Sequence, residues 1–449
     1  MKNKIVLWLL TVFGMIFLGT ILVSGVYLIN NENLTENFKK SQSQMKEIGE
    51  YQKLDDTKTS TLDNFTDSLM LLTASYSGDE PLLERSMNNY RLNENGKDPY
   101  YTMIGNMESD KISIKSYARY WHGYLVFLRP LLSIFDYSQI KTINTITQIV
   151  LLIVVLTMML KRKVGIAIIP FLSAYFVINP VTIANSLQYS TVWYIVLGST
   201  LAYLIFKDKI VKHKLHYLFF TIVGMITSYI DLLTYPIATL GLLLVLVLVA
   251  EELDWKEAIK RILICGVFWT LGYGIMWASK WILASIILNQ NVLKNASEAI
   301  QSRSSNTLGS GDEIPINALI NSIFQRYHNH ITTSSVWINM IFSVATYFLF
   351  KFKDKIIKPK NEVLEKETKK VKKHYLKNEK FKTKANKILP TIINTLPIMA
   401  VGMLPFVWYY ALTNHSYVHT FFTFRTLVVF WFALFITLFK IAKDLNKNT

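Results

Sequence analysis

Cysteine is almost absent: the 449 residues contain one, Cys265, inside an apolar run. A lone cysteine excludes a disulfide framework and a cysteine-rich metal centre within one chain. There is no Walker sequence and no glycine-rich dinucleotide fingerprint, so two mechanistically clear nucleotide-binding signatures are missing. There is no clear internal repeat, which argues against a solenoid or an array. Charge is also scarce where the chain is most apolar. Most of the long hydrophobic stretches have no Asp, Glu, Lys or Arg near their middles, where an ion-coupled transporter would place them.

Hydrophobic residues, by contrast, are abundant. They make up 51% of the chain, and apolar runs near membrane-spanning length recur along it. The net charge of +17 does not indicate nucleic acid, because the excess sits in short segments between apolar runs, as the positive-inside rule predicts. Met-Lys-Asn-Lys opens the chain and an apolar run follows to residue 29. That run is too long for a signal-peptide core and predicts an uncleaved first span. The fold class expected is an all-α polytopic membrane protein with about ten transmembrane helices and a large, mainly helical first extracellular loop. Both termini are expected in the cytoplasm.

The boundaries follow from the alternation of apolar and basic segments. The first span lies within 1–29, and the first extracellular loop is 30–142. Spans two to seven fall in 143–287, and a second extracellular loop is 288–333. Spans eight to ten occupy 334–449, with a basic cytoplasmic loop at 351–387. That basic loop has 15 Lys against 5 acidic residues, whereas residues 30–140 have 12 Lys+Arg against 16 Asp+Glu, the reverse of the whole-chain balance. Within the first loop, 33–52 predicts an exposed helix. Residues 117–137 predict an amphipathic helix at the membrane face. Trp121, Leu125, Leu128, Leu132 and Phe135 form its apolar stripe, and His122, Arg129, Ser133 and Asp136 a polar one. Span two is expected at 143–160, span three at 164–183 with bends at Pro170 and Pro180, and span eight at 334–350. The apolar run 216–250 predicts a hairpin whose tip is Asp231–Pro236, including Tyr235. Asp231 would lie about 22 Å along the first arm, short of a ~30 Å hydrocarbon core, lining a wet cavity or reaching the headgroups.

Asp63 and Asp67 stand out in the segment Asp63–Tyr76. Four residues apart, they share one face of a helix. A carboxylate above a membrane cavity is a candidate general base. Asp63 can equally cap a helix starting at Asn64; Asp67 has no cap role in that register and is the stronger functional candidate, a solvated surface residue being its bland alternative. The remaining polar groups also gather on the predicted outer side: His122, Arg129, Asp231, Lys280, Arg326 with His328 and His330, then His415, His419 and Arg425. Arg129, Lys280 and Arg425 have ordinary alternatives as headgroup contacts or snorkelling anchors. External carboxylates facing external cations suit sugar transfer from a lipid-phosphate donor. The carboxylate takes the acceptor proton and the cations stabilise the leaving phosphate. His415 and His419 have helical metal-ligand spacing but no third ligand nearby in sequence. No cofactor is therefore expected, with a divalent metal as the minor alternative.

Three segments carry a resemblance. They are Asp-Asn-Phe-Thr-Asp-Ser-Leu-Met-Leu, Tyr-Trp-His-Gly-Tyr…Leu-Arg-Pro and Asn-His-Ser-Tyr-Val-His…Phe-Phe-Thr-Phe-Arg. With the topology, they make the chain similar to GT-C-type membrane glycosyltransferases of Firmicutes that depend on polyprenyl-phosphate sugars and modify cell-surface polysaccharide. The resemblance implies a polyprenyl-phosphate-linked sugar donor, a glycan acceptor and a site facing outward from a Gram-positive bacterial membrane. It implies Asp67, then Asp63, as base, and Arg425, His419 and Arg129 as ligands of the donor phosphate. Asp231, His122, His415, Tyr235, Lys280 and Arg326 are the other candidate cavity residues. In many such enzymes the acidic residue follows span one more closely, which keeps Asp136 and Asp231 open as bases. A transporter or flippase for lipid-linked glycans and a membrane acyltransferase with a histidine base are the alternative functions. Neither predicts a nucleic-acid partner.

Overall fold

Apolar runs surrounded by lipid must satisfy their backbone internally, and helices do so. The computed structural model describes residues 2–29, 31–105, 112–327 and 375–447. Helix α1 (Lys2–Val26) leads into a loop domain of α2 (Glu32–Ile48), α3 (Asn64–Ala74), α4 (Leu82–Asn88), β1 (Arg91–Glu94), α5 (Pro99–Met103), β2 (Ile112–Lys115) and α6 (Leu125–Leu132). The bundle continues through α7 (Tyr137–Lys161), α8 (Ile168–Val177), α9 (Pro180–Ala184), α10 (Leu187–His213), α11 (His216–Ile230), α12 (Ile237–Glu251) and α13 (Trp255–Leu288). Then come α14 (Val292–Ser304), α15 (Ile316–Phe324), α16 (Tyr375–Gly402), α17 (Leu404–Ala411), α18 (Thr413–Val418), α19 (Thr420–Thr423) and α20 (Val428–Lys447). The two strands pair antiparallel, Arg91 opposite Lys115.

Six described stretches are long and apolar enough to cross a membrane: Asn3–Val26, Tyr137–Lys161, Leu187–His213, Trp255–Leu288, Leu389–Ala411 and Thr420–Asp444. Gly165–Val177, His216–Ile230 and Ile237–Glu251 are shorter apolar helices. The chain is a mainly helical membrane protein. Helix α12 is its axis: Ile237 through Val249 are all buried, as expected of a helix apolar all round. The loop domain closes one end of the bundle. At the other end the buried Glu251 accepts from His216 Nε2 at 2.7 Å and Tyr203 hydroxyl at 2.8 Å, and pairs with Arg261. That clasp ties α10, α11, α12 and α13 together.

Helices α11 and α13 meet through glycine. A Cβ on Gly272 would run into the Thr221 carbonyl, and one on Gly224 into the Trp269 carbonyl. Small residues permit this approach where no hydrophobic force between helices assists. Gly272→Ala is expected to cost about 1–3 kcal/mol by overpacking. Thermal unfolding of purified protein in detergent reads this. Gly266→Ala on the same helix, with open space around it, should leave the midpoint unchanged.

The structure corrects several boundaries. Helix α2 is not simply exposed: Leu34, Phe38 and Met45 recur at helical spacing and are buried. The helix expected over 117–137 shrinks to α6. Residues before it turn sharply, with His122 at φ 55°, and Gly123 N–H donates to Tyr229 carbonyl at 2.8 Å. A Cβ at Gly123 would strike the Tyr229 ring. Most of the polar stripe points inward rather than to headgroups, since His122, Arg129 and Ser133 are buried. Span two begins at Tyr137, not 143, because Asp136 and Gln139 form a capping box. Span three breaks at Asn179, whose φ is 62°, and Pro180 opens α9. Pro170 sits in the first turn of α8, where a missing N–H is tolerated. The span expected at 334–350, His328, His330 and most of the basic loop 351–387 lie outside the described residues.

Candidate active site

Asp63 and Asp67 both lie on the α3 side facing α10, but their surroundings differ. Asp67 is fully buried, so the solvated-surface alternative falls. The start of α10 leaves backbone N–H groups without intrahelical partners. Asp67 answers them: Oδ2 accepts from Leu187 N at 2.9 Å and Oδ1 from Gln188 N at 3.0 Å. Tyr137 hydroxyl donates to Oδ2 at 2.8 Å and Ser186 hydroxyl to Oδ1 at 3.3 Å. Its negative charge also suits the positive end of the α10 dipole. No position on this carboxylate remains for a substrate hydroxyl.

Asp63 caps α3, its Oδ1 accepting from Thr66 N at 3.1 Å. Its other oxygen is buried and has no hydrogen-bond partner. Burial pushes its carboxyl up to about 7, opposed by the Thr66 hydrogen bonds and the Arg425 charge and reinforced by Asp67. The free oxygen therefore belongs to an acid poised near neutrality. Tyr51, 44% exposed, packs edge-on against Phe421 at 5.5 Å and feels the charge of Asp63.

The short 3-10 turns Phe424–Leu427, between α19 and α20, and Gln325–Tyr327, after α15, bring the cations. Arg425 is fully buried, and its Nη2 donates to Thr59 carbonyl at 3.1 Å, joining the start of α20 to the loop domain. Its guanidinium stands 3.8 Å from the Tyr189 ring centroid, a cation–π contact. Nη1 donates to Phe421 carbonyl at 2.9 Å, while Nε–H is buried and unpartnered. Tyr235 hydroxyl donates to Tyr189 carbonyl at 2.6 Å, which fixes the hairpin tip to the backbone of α10 at the same residue. Arg326 donates to Thr420 hydroxyl at 3.0 Å nearby.

His415 reaches the hairpin tip, with Nε2 2.9 Å from Leu233 carbonyl and Nδ1 unpartnered. His419 lies 4.9 Å from it, ring to ring. Burial holds His415 down to about 3 and His419 to about 4, so both are neutral at physiological pH. They can donate a hydrogen bond but do not supply charge. Asp231 is buried, and both its oxygens accept from Thr234 N, at 3.1 and 2.9 Å. It shapes the tip turn.

Three candidates are internal fasteners. Every N–H of Arg129 is engaged, by the carbonyls of Ile29, Ala74 and Tyr76 and the Ser77 hydroxyl. None is left for a donor phosphate. Lys280 does not snorkel: it is fully buried, donating to Ser86 and Met87 carbonyls at 3.1 and 2.9 Å. Those carbonyls end α4, where a cation is favoured. His122 is held by Tyr124 hydroxyl at 2.9 Å and Tyr117 carbonyl at 3.0 Å. Asp63, Arg425, Arg326, Tyr235, His415, His419 and Asp231 thus cluster where the loop domain, the hairpin tip and residues 413–427 meet, and Asp67, Arg129, Lys280 and His122 are internal fasteners.

Sequence reasoning missed Tyr189, Tyr51 and Arg303. Arg303 on α14 lies 5.9 Å from the Tyr120 ring and bears electrostatically on both histidines. No local pattern marks these residues, because their partners are remote in sequence. Among the described residues, no three His, Cys, Asp or Glu side chains are grouped to hold a metal ion. No family model, curated protein or solved structure matches this chain.

Proposed function

We propose that the chain is a GT-C-type glycosyltransferase that moves a sugar from a polyprenyl-phosphate donor to a cell-surface glycan. The observation that carries this reading is the buried Asp63, with one unoccupied oxygen and within the electrostatic reach of Arg425, at one end of an apolar bundle. In this reading the chain crosses the membrane ten times, and the loop-domain end faces outward. The basic residues Lys161, Arg162, Lys163, Lys207, Lys209, Lys212 and Lys214 mark the cytoplasmic end. Helices α11 and α12, of 15 residues each, span only about 22 Å. Their tip then sits below the outer surface, where a lipid-borne phosphate can reach it.

Asp63 removes the proton from the acceptor hydroxyl as its oxygen attacks the anomeric carbon of the donor sugar. The bond from that carbon to the phosphate oxygen breaks, and polyprenyl phosphate leaves with the electron pair. Arg425, through its unpartnered Nε–H, and Arg326 stabilise the charge that develops there, a task suited to guanidinium. His419 and His415, both neutral, donate hydrogen bonds. Asp63 takes the role in preference to Asp67, whose oxygens are saturated, and to Asp136 and Asp231, which cap α7 and the hairpin turn.

The test is the sugar composition of purified cell-wall polysaccharide from cells with and without the gene, complemented by wild type or Asp63→Asn. Loss of one sugar in the deletion and in the well-expressed variant is the expected result. Unchanged composition in the deletion would sink the proposal.

A further inference from the structure

A second polar feature lies on the opposite side of α3. Phe65 and Leu69 form part of the wall of a cleft of about 730 Å³ between β1, the start of α5, the segment after β2 and the α13–α14 junction. The volume is in the range of small-molecule sites. Residues 65 and 69 stand roughly 120–160° around α3 from Asp63 and Asp67, so one short helix separates the cleft from the proposed reaction site.

Arg91, Lys97, Lys115 and Arg119 line this cleft against a single carboxylate, Asp98. Asp98 is occupied locally, capping α5 by accepting from Tyr101 N at 2.9 Å. Lys97 pairs with Glu94 at 2.8 Å, but Arg91, Lys115 and Arg119 have no ion pair among the described residues. Arg91 is nearly buried, 7% exposed, and its recorded hydrogen bond is a long one, 3.3 Å to Leu92 carbonyl. Arg119 touches Asn295 at 3.3 Å, and its Nε is buried with no partner. Guanidinium groups held this way, with donors left over, are suited to bidentate anion contacts. The amides of Asn93, Asn295 and Gln290 add neutral donors and acceptors of the kind that hydroxyl groups use.

We propose that this cleft binds an anionic glycan segment, phosphodiester-linked or carboxylated, and holds it as the acceptor. The proposal rests on the glycosyltransferase reading for the word acceptor, but not for the binding itself. Geometry connects the two places. Helix α3 carries Phe65 and Leu69 on the cleft and Asp63 at its N-cap, so a polymer seated among Arg91, Lys115 and Arg119 can run past the start of α3 toward Asp63. Recognition by backbone charge leaves the terminal hydroxyl free to react, as an enzyme that decorates a polymer requires.

The experiment is direct binding to the purified full-length protein in detergent. Three probes are used: a fluorescent poly(glycerol phosphate) oligomer, an oligogalacturonate and neutral dextran. The proposal expects at least one polyanion to bind, dextran not to bind, and binding to weaken as salt rises. Which polyanion binds identifies the charge. Lys115→Gln/Arg119→Gln, checked for an unchanged unfolding midpoint, should weaken binding at least about tenfold, as expected for loss of charge-assisted contacts. If neither polyanion binds, or the double variant binds as well as wild type, the proposal is overturned. Asp63→Asn should bind like wild type. Binding that survives when no sugar is transferred keeps the cleft and removes the transferase reading. Transfer that proceeds with no polyanion binding does the reverse.

Discussion

Asp63→Asn is expected to slow sugar transfer by about 10²- to 10⁴-fold, the usual contribution of a positioned general base. Asn also caps helices well, so α3 should keep its start and the protein its fold. Activity of the wild type should rise with pH to a plateau above an apparent pKa near 7, matching the raised carboxyl, and this limb should vanish in the variant. Stability gives an independent reading. The folded carboxyl holds its proton up to about 7, whereas an unfolded Asp releases it near ~3.9. Between these values the native state binds more protons, so wild-type stability falls as pH rises from about 4 to about 7. Asp63→Asn should flatten that slope. Melting midpoints across the pH range, together with transfer from a polyprenyl-phosphate sugar, check both. A variant with full activity would remove Asp63 from the mechanism.

Asp67→Ala is expected to act on the fold instead. It strands the buried Leu187 and Gln188 N–H groups and the Ser186 hydroxyl without this acceptor, and leaves the Tyr137 hydroxyl only a long contact to Asn64 Oδ1 at 3.3 Å. Hydrogen bonds to charged groups contribute about 1.5–3 kcal/mol each, and buried donors left empty add to the cost. A net loss of about 3–5 kcal/mol is expected, as for breaking a buried charged contact. Thermal unfolding in detergent would show a large downward shift, with faster proteolysis around residues 186–190. A well-folded, inactive Asp67→Ala protein would return the base role to Asp67.

Much of the architecture was legible because lipid imposes long apolar runs and basic loops punctuate them. The hairpin tip at Asp231–Pro236, the N-cap at Asp63 and the break at Pro180 all carry local chemistry that sequence displays. The site was only half legible. Asp63 and Arg425 could be named, but nothing near Asp67 indicated that α10 would start beneath it. The stripe through His122, Arg129 and Ser133 was misread because an amphipathic pattern shows where a polar face is, not whether water or carbonyl groups meet it. Lys280 was misread for the same reason: the carbonyls of Ser86 and Met87 are nearly two hundred positions away, at |i−j| of 194 and 193.

The bond between Arg425 and Thr59 spans 366 positions, and this has a consequence for synthesis. As the chain emerges, Arg129 closes on Ile29, Ala74 and Tyr76, all made before it. Asp67 must remain a hydrated anion until residues 186–188 follow, 119 to 121 positions later. Asp63 gains its cationic neighbour only when the segment before α20, the last described helix, is made. Every chain that ends before residue 425 therefore has Asp63 without the Arg425 charge. In the proposed mechanism, a chain stalled or clipped before residue 425 would hold the acid without the cation that stabilises the leaving phosphate.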